Sequence, residues 1–203
     1  PSFIIAQTNY KVDANIGINS GVISSSGNSS DQKKNILTIP LPSLGVSVSY
    51  NTQKAEWQTG IQLESTLYRR DIQLTTINAE PIGLARSYDL PIYIALPLLV
   101  YPRSLPFGLH TGLKPKFEAG SFSWSDYQGQ IGVSDKKFNV VSINYLADFG
   151  LDAIVGVSMS VDRVKLILRY ERGLFDRVKG KSDYKQYENQ FRFVMNIQLY
   201  SSD

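Results

Sequence analysis

Polar and apolar residues alternate along eight separate stretches of the chain, and strict alternation marks a β-strand with two unlike faces. In Lys11 to Asn19, the polar set Lys11, Asp13, Asn15 and Asn19 opposes Val12, Ala14, Ile16 and Ile18. In Leu44 to Tyr50, Leu44, Val46, Val48 and Tyr50 oppose Gly45, Ser47 and Ser49. From Glu56 to Arg70, Trp57, Ile61, Leu63 and Leu67 oppose Glu56, Gln58, Gln62, Glu64 and Arg70. The fourth stretch sets Leu90, Ile92, Ile94, Leu96 and Leu98 against Asp89, Tyr93 and Ala95.

The second half continues the pattern. Leu109, Leu113 and Phe117 alternate with His110, Gly112, Lys114, Lys116 and Glu118. Phe149, Leu151, Ala153, Val155, Val157 and Met159 face away from Asp148, Gly150, Asp152, Gly156 and Ser158. Val164, Leu166, Leu168 and Tyr170 oppose Lys165, Arg169 and Glu171, and Phe191, Phe193, Met195, Ile197 and Leu199 oppose Gln190, Arg192, Asn196 and Gln198. Eight strands, an even number, are predicted in one domain over residues 1–203.

The connections carry a second rhythm. Those after strands two, four and six are short: Asn51 to Ala55, Pro102 to Pro106 and Ser160 to Arg163. Those after strands one, three, five and seven are read as long, roughly 14 residues or more, and the serine-rich Ser24 to Ser30 is read as a loop. Outer-membrane barrels place short periplasmic turns at one rim and long extracellular loops at the other. The chain is therefore expected to be all-β: an eight-stranded antiparallel up-and-down transmembrane β-barrel, in the bacterial outer membrane with both termini periplasmic.

The two faces then acquire roles. The interior polar network is predicted to hold Glu64, Arg70, His110, Lys114, Lys116, Glu118, Asp148, Asp152, Lys165, Arg169, Glu171 and Arg192. Charges of both signs suit the filled interior of so narrow a barrel, where they survive only when paired. Gly45, Gly60, Gly112, Gly150 and Gly156 share that face, where long side chains need room. The lipid-facing set is Val46, Val48, Ile61, Leu63, Ile92, Ile94, Leu96, Leu113, Leu151, Val155, Leu166, Leu168, Phe193, Met195 and Ile197. Tyr50, Trp57, Tyr170 and Phe191 sit near segment ends on the apolar side, where an interfacial girdle places its rings. A soluble lipocalin-like carrier of an apolar ligand is the alternative, with the same alternation turned inside out.

Composition changes this picture little. The chain is 42% apolar and 19% charged, with mean hydropathy −0.15, values that also fit a soluble domain. No stretch reaches the roughly 20 apolar residues of a spanning helix. Ile92 to Tyr101, the longest apolar run, is broken by Pro97. Mean hydropathy is nearly blind to barrels, because every second residue of a strand is free to be polar. The chain begins at Pro1 without Met or signal peptide and is read as a mature or trimmed form. A net charge of +3 with scattered basic residues gives no nucleic-acid footprint.

Tyr88-Asp-Leu-Pro-Ile-Tyr-Ile-Ala-Leu-Pro-Leu-Leu-Val-Tyr101 resembles the central strand of the PorT-like outer-membrane β-barrel family of Bacteroidota-type bacteria. Phe107 to Gly120, Asp148-Phe-Gly-Leu-Asp-Ala-Ile-Val-Gly156 and Leu168-Arg-Tyr-Glu-Arg-Gly-Leu-Phe175 extend the resemblance, which runs from about Leu44 to Tyr200. Pro91 departs from it, standing where the family pattern has an acidic residue. The resemblance implies the same barrel, and a link to protein secretion of the type IX kind.

The sequence offers little for catalysis. His110 is the only histidine and is read as a hydrogen-bonded interior residue. No Gly-x-Ser-x-Gly setting accompanies it. One His and no Cys build no transition-metal site, and no cofactor is expected. Asp148 and Asp152 are expected to pair with Lys165, Arg169 or Arg192 rather than hold a cation. Arg86, Arg172, Arg177, Lys179 and Lys181, at the loop rim, are candidates for lipopolysaccharide phosphates. The reading is a non-enzymatic barrel, structural or accessory to other outer-membrane or secretion proteins. A narrow pore and a lipid-modifying barrel enzyme are the remaining alternatives.

Overall fold

A computed structural model describes residues 9–26, 36–75, 81–104, 108–129, 142–144, 149–175 and 185–202. Asp148, with Arg177, Lys179 and Lys181, lies outside them. Their secondary structure consists of β1 (Tyr10–Ser26), β2 (Ile36–Ile39), β3 (Leu41–Asn51), β4 (Ala55–Ser65), β5 (Leu67–Thr75), β6 (Pro81–Ala95), β7 (Leu98–Pro102), β8 (His110–Gly129), β9 (Ser142–Asn144), β10 (Phe149–Val161), β11 (Val164–Gly173) and β12 (Lys185–Ser201). Three breaks among the described residues subdivide longer staves, and β9, which pairs with β8 ahead of β10, belongs to the same stave as β10. Pro40 separates β2 from β3, Thr66 separates β4 from β5, and Leu96–Pro97 separates β6 from β7. Proline has no N–H to give to a ladder, which explains the first and third interruptions. The chain bridges the third by donating Leu96 N to Pro115 O at 2.8 Å.

Joined across these breaks, the strands form eight antiparallel staves, each paired to its sequence neighbours. The first and last staves pair along β1 and β12, and β8 pairs with β10, so the sheet closes into an up-and-down barrel. Its stagger can be read from the register. From Asn15 one direction runs Gly45, Gln62, Ala95, Lys116 and arrives at Gly150. The other runs Asn196, Lys165 and arrives on the same strand at Ser160, ten residues further along. With standard strand spacings, that shear over eight strands tilts them by about 40° from the barrel axis.

The strands are longer than their alternating segments. Ser24 to Ser26, read as loop, pair instead with Tyr187 to Lys185. The third stave continues to Thr75, and the fourth begins at Pro81. The connections after the first and third staves are therefore shorter than expected, because backbone pairing continues where apolar alternation has stopped. At the other rim, β10 and β11 are joined through Asp162 and Arg163, with Asp162 at φ 53°. A left-handed residue is what a tight hairpin of matching twist requires, and Asp tolerates it well. Tyr10 and Ser202 meet at this turn rim, where Tyr10 N donates to Ser202 Oγ at 3.0 Å.

Burial is inverted relative to a water-soluble core. Arg192, Lys114, Glu171 and Asp152 are among the fully enclosed side chains, whereas Ile61, Leu63, Val155 and Leu168 are each more than half exposed. A lipocalin-like carrier needs the reverse. The apolar part of the lumen includes a cluster of Leu99, Tyr101 and Ile154, and the register partners Ile167 and Val194 are buried there too.

Candidate functional site

The alternating phase of each stave delivers one charged residue after another to a common axis, and register decides which of them meet. Lys114 Nζ lies 3.0 Å from Glu64 Oε1 and 3.2 Å from Asp152 Oδ2, and it also pairs with Glu171. Two residues along β8, Lys116 Nζ meets the same Asp152 oxygen at 3.0 Å and Glu188 Oε2 at 3.0 Å. Arg192 pairs with Glu64, places Nε 3.4 Å from Glu171 Oε1, and donates from Nη1 to Gln62 Oε1 at 3.0 Å. Arg169 Nε stands 3.5 Å from Glu171 Oε1.

Four cations thus meet four carboxylates in the centre of the lumen, and the cluster is electrically neutral. Charges taken out of water are tolerable only when each is paired and hydrogen-bonded, and here every pair joins different staves or neighbours within one. Tyr68 and Gln190 donate to Glu188, and the Tyr93 ring lies 5.1 Å below Lys116 Nζ. Chemically the cluster cross-links the walls across the centre of the lumen.

Two of the glycines on the charged face make this packing possible. A Cβ on Gly150 would stand 2.8 Å from Lys116 Cε and 2.9 Å from its Cγ. On Gly156 it would stand 2.7 Å from both Cε1 and Nε2 of His110. Neither position has room for a side chain, because a neighbour's side chain already occupies it.

A second group lies at the turn rim. Lys165 Nζ pairs with Glu56 Oε1 at 2.8 Å and sits 3.5 Å from the centroid of the Tyr101 ring. Tyr101 OH donates to Gln58 Oε1 at 2.8 Å, Gln58 Nε2 to Ser47 Oγ at 2.9 Å, and Ser47 Oγ to Asn15 Oδ1 at 3.1 Å. His110 is stacked on Tyr101, with centroids 4.6 Å apart, and its Nδ1 lies 3.4 Å from Gly108 O. Its Nε2 is buried against Gly156 with no hydrogen-bond partner among the described residues. A nucleophile–base pair would need a hydroxyl at that nitrogen.

The predicted interior residues fall as follows. Glu64, His110, Lys114, Lys116, Asp152, Arg169, Glu171 and Arg192 are buried. Lys165 and Glu118 are half-buried, Lys165 at the turn rim and Glu118 in register with Tyr93 toward the loops. Arg70 is exposed, a correction: β5 rises past the buried section, and its end meets water. A second correction concerns Asp152. It pairs with Lys114 and Lys116 rather than with Lys165, Arg169 or Arg192, because register sets it directly opposite Lys114. Glu188, Tyr68 and Asp13 are buried too and were not in the predicted set. Glu188 precedes Gln190 and Arg192 at the same two-residue period, so extending the last alternating stretch upward finds it.

The outer set is placed equally clearly. Val46, Val48, Ile61, Leu63, Ile94, Leu113, Val155, Leu168 and Phe193 are exposed on the outer surface. Ile92, Leu96, Leu151, Leu166, Met195 and Ile197 are half-covered by their neighbours. Tyr50 and Trp57 are cross-strand partners, and the Tyr170 and Phe191 rings pack with centroids 5.1 Å apart.

No family model matches the chain, and no curated protein matches it. Among solved structures, it is similar to Ail, the attachment invasion locus protein of Yersinia pestis, crystallised with the heparin analogue sucrose octasulfate. That likeness has TM-score 0.45 and 9% identity and covers 95% of this chain and 99% of that one. Neisserial surface protein A gives TM-score 0.40 at 12% identity, covering 94% and 97%. The outer membrane protein OprG from Pseudomonas aeruginosa gives 0.36 at 10%, covering 94% and 93%. The barrel described above rests on its own strand pairings: eight antiparallel staves closed on themselves, charged within and apolar without.

Proposed function

We propose that this chain is a small outer-membrane β-barrel of the bacterial envelope, without catalytic activity, serving as a structural protein or as an accessory subunit that acts through its loops and rims. The observation that carries this reading is the inverted burial. Ile61, Leu63, Val155 and Leu168 face outward, while Lys114, Glu171 and Arg192 are enclosed. Apolar side chains stand outside at no cost only where the surroundings are apolar too. The orientation proposed puts the turns and both termini in the periplasm and the longer connections outside, where Arg86 and Arg172 would meet lipopolysaccharide. Neither residue belongs to the central cluster.

The central cluster of ion pairs spans the lumen between staves, which favours this reading over a pore. An accessory role beside a secretion assembly is proposed from the PorT-like resemblance alone. The test is a pull-down of the tagged protein from detergent-extracted envelopes, with flotation on liposomes in parallel. Co-purification of a reproducible outer-membrane partner, with flotation, is the expected result. A chain that stays in the aqueous phase without detergent overturns the membrane placement, and one always recovered alone overturns the accessory role.

A further inference from the structure

Among the described side chains of the strands, five charges belong to the outward phase: Arg69, Asp71, Arg86, Asp126 and Arg172. Four of them form one group on neighbouring staves. Arg69 grips Asp71 with two donors, Arg86 Nε lies 3.9 Å from Asp71 Oδ1, and Asp126 is the register partner of Arg86. That group is neutral. Arg172 stands on the far side of the barrel, exposed, with no ion pair or hydrogen bond among the described residues.

The surface around Arg172 is apolar in both directions along the strand. Turnward comes Tyr170, whose ring packs against Phe191, and then the exposed Leu168. Loopward comes the exposed Leu174, whose N donates to Leu151 O at 2.8 Å. Beyond it the Phe175 ring lies 5.8 Å from that of Phe149, which is itself 5.2 Å from Phe117. The register partners of Arg172 are Ala153 and Asn189, both uncharged. The arginine therefore lies within the apolar outer surface and not past its end.

A guanidinium keeps its charge in a protein, and a lipid-facing cation without a counter-ion is unfavourable. The other wall meets that requirement with its own Asp71. Around Arg172 the described neighbours supply no carboxylate, so the anion has to come from the surrounding layer, where it is a lipid phosphate. The planar fork of arginine matches two phosphate oxygens at once.

We propose that Arg172 binds the phosphate of a phosphorylated glycolipid of the outer leaflet. The acyl chains would run turnward over Leu168 and Phe193, and the sugar would lie loopward against the Phe149 and Phe175 rings. A pyranose sets a face of C–H groups against such rings, which a small mobile headgroup does not. The proposal rests on the membrane placement and loop-outward orientation proposed above. It separates the two rim arginines: Arg86 has a carboxylate of its own chain beside it, and Arg172 takes its anion from the lipid.

The test titrates the chain, folded in detergent micelles, with bisphosphorylated lipid A, with the same lipid stripped of phosphate, and with phosphatidylglycerol. Native mass spectrometry counts bound lipid for the wild type, R172Q and R86Q. Wild type and R86Q are expected to bind bisphosphorylated lipid A alike, and either R172Q or removal of the phosphates weakens binding about tenfold or more. Equal binding by wild type and R172Q, indifference to the phosphates, or equal weakening in R86Q and R172Q overturns the site. Phosphatidylglycerol bound as tightly as lipid A overturns the assignment to a glycolipid. Flotation of the same proteins on liposomes reads the membrane placement separately. A wild type that floats without discriminating among the lipids loses only the site, whereas one that does not float loses the placement as well.

Discussion

Gly150 lies directly opposite Lys116 across the β8–β10 pair, and the stem of the lysine fills the space a side chain on Gly150 would need. The ammonium at the end of that stem then reaches Asp152 and Glu188 at 3.0 Å each. Gly150→Val is expected to push the stem aside and lengthen both pairs, with an overpacking cost of about 1–3 kcal/mol. Urea unfolding in detergent micelles, followed by tryptophan fluorescence, reads this as a lower midpoint. Combining it with Lys116→Ala tests the cause. The double variant is expected to lose less than the two single losses together, by about 0.5 kcal/mol or more.

Lys114 is the hub of the interior, in contact with Glu64, Asp152 and Glu171. Replacing it by Met keeps the stem and removes the charge. Three buried carboxylates then lose a partner, and breaking a buried pair in this way costs about 3–5 kcal/mol. Lys165→Met, at the half-buried rim pair with Glu56, is expected to cost less, since water reaches both groups. Equal losses in the two variants, measured by the same unfolding assay, would show that the central cluster is no more tightly enclosed than the rim.

The inward and outward phases of the staves were legible because they are local, with period two. Val46, Ile61, Leu63 and Leu168 declare their face from their immediate neighbours, and Lys114, Glu171 and Arg192 theirs. What alternation does not carry is register. Nothing near Asp152 in sequence says that a ten-residue stagger sets it against Lys114 rather than Lys165, because that follows only once the sheet has closed. Strand length is similarly hidden. The backbone ladder of β5 continues past Leu67 without apolar support, so Arg70 shares the inward phase of Glu64 while lying where the buried section has ended. The unpaired Ala119 reverses the phase of β8 partway, and no period-two pattern runs through such a shift.

Beyond the apolar belt, Arg69 holds Asp71 by two donors, Nε to Oδ1 at 2.9 Å and Nη2 to Oδ2 at 2.7 Å. That hydrogen bonding first, and the Arg69 and Arg86 charges after it, hold the Asp71 carboxyl below its ordinary value. A carboxylate with a lowered folded pKa contributes stability that is present above its unfolded pKa and lost as pH falls through the folded one. The prediction is therefore that Asp71 titrates below the ordinary range, while global stability near neutral pH is unchanged. Carboxyl NMR of the labelled protein checks it, and Arg69→Ala is expected to move the titration back up. A midpoint that ignores Arg69 would mean the pair does not persist in solution.

Ile61 and Gln62 are neighbours in sequence with opposite surroundings, one 62% exposed on the outer surface and the other 4% exposed in the lumen. In water an exposed isoleucine replaced by arginine costs almost nothing. At the middle of a lipid-facing belt the same change costs about 2–4 kcal/mol, falling to about 0–1 toward the interfaces. Ile61→Arg and the turn variant Gln53→Arg, folded into phospholipid vesicles and unfolded by denaturant, therefore separate the two environments. The expected result is a large loss for Ile61→Arg and none for Gln53→Arg. A soluble barrel predicts indifference to both, because its exposed isoleucine would already face water, and equal stabilities would reverse the assignment of the outer face.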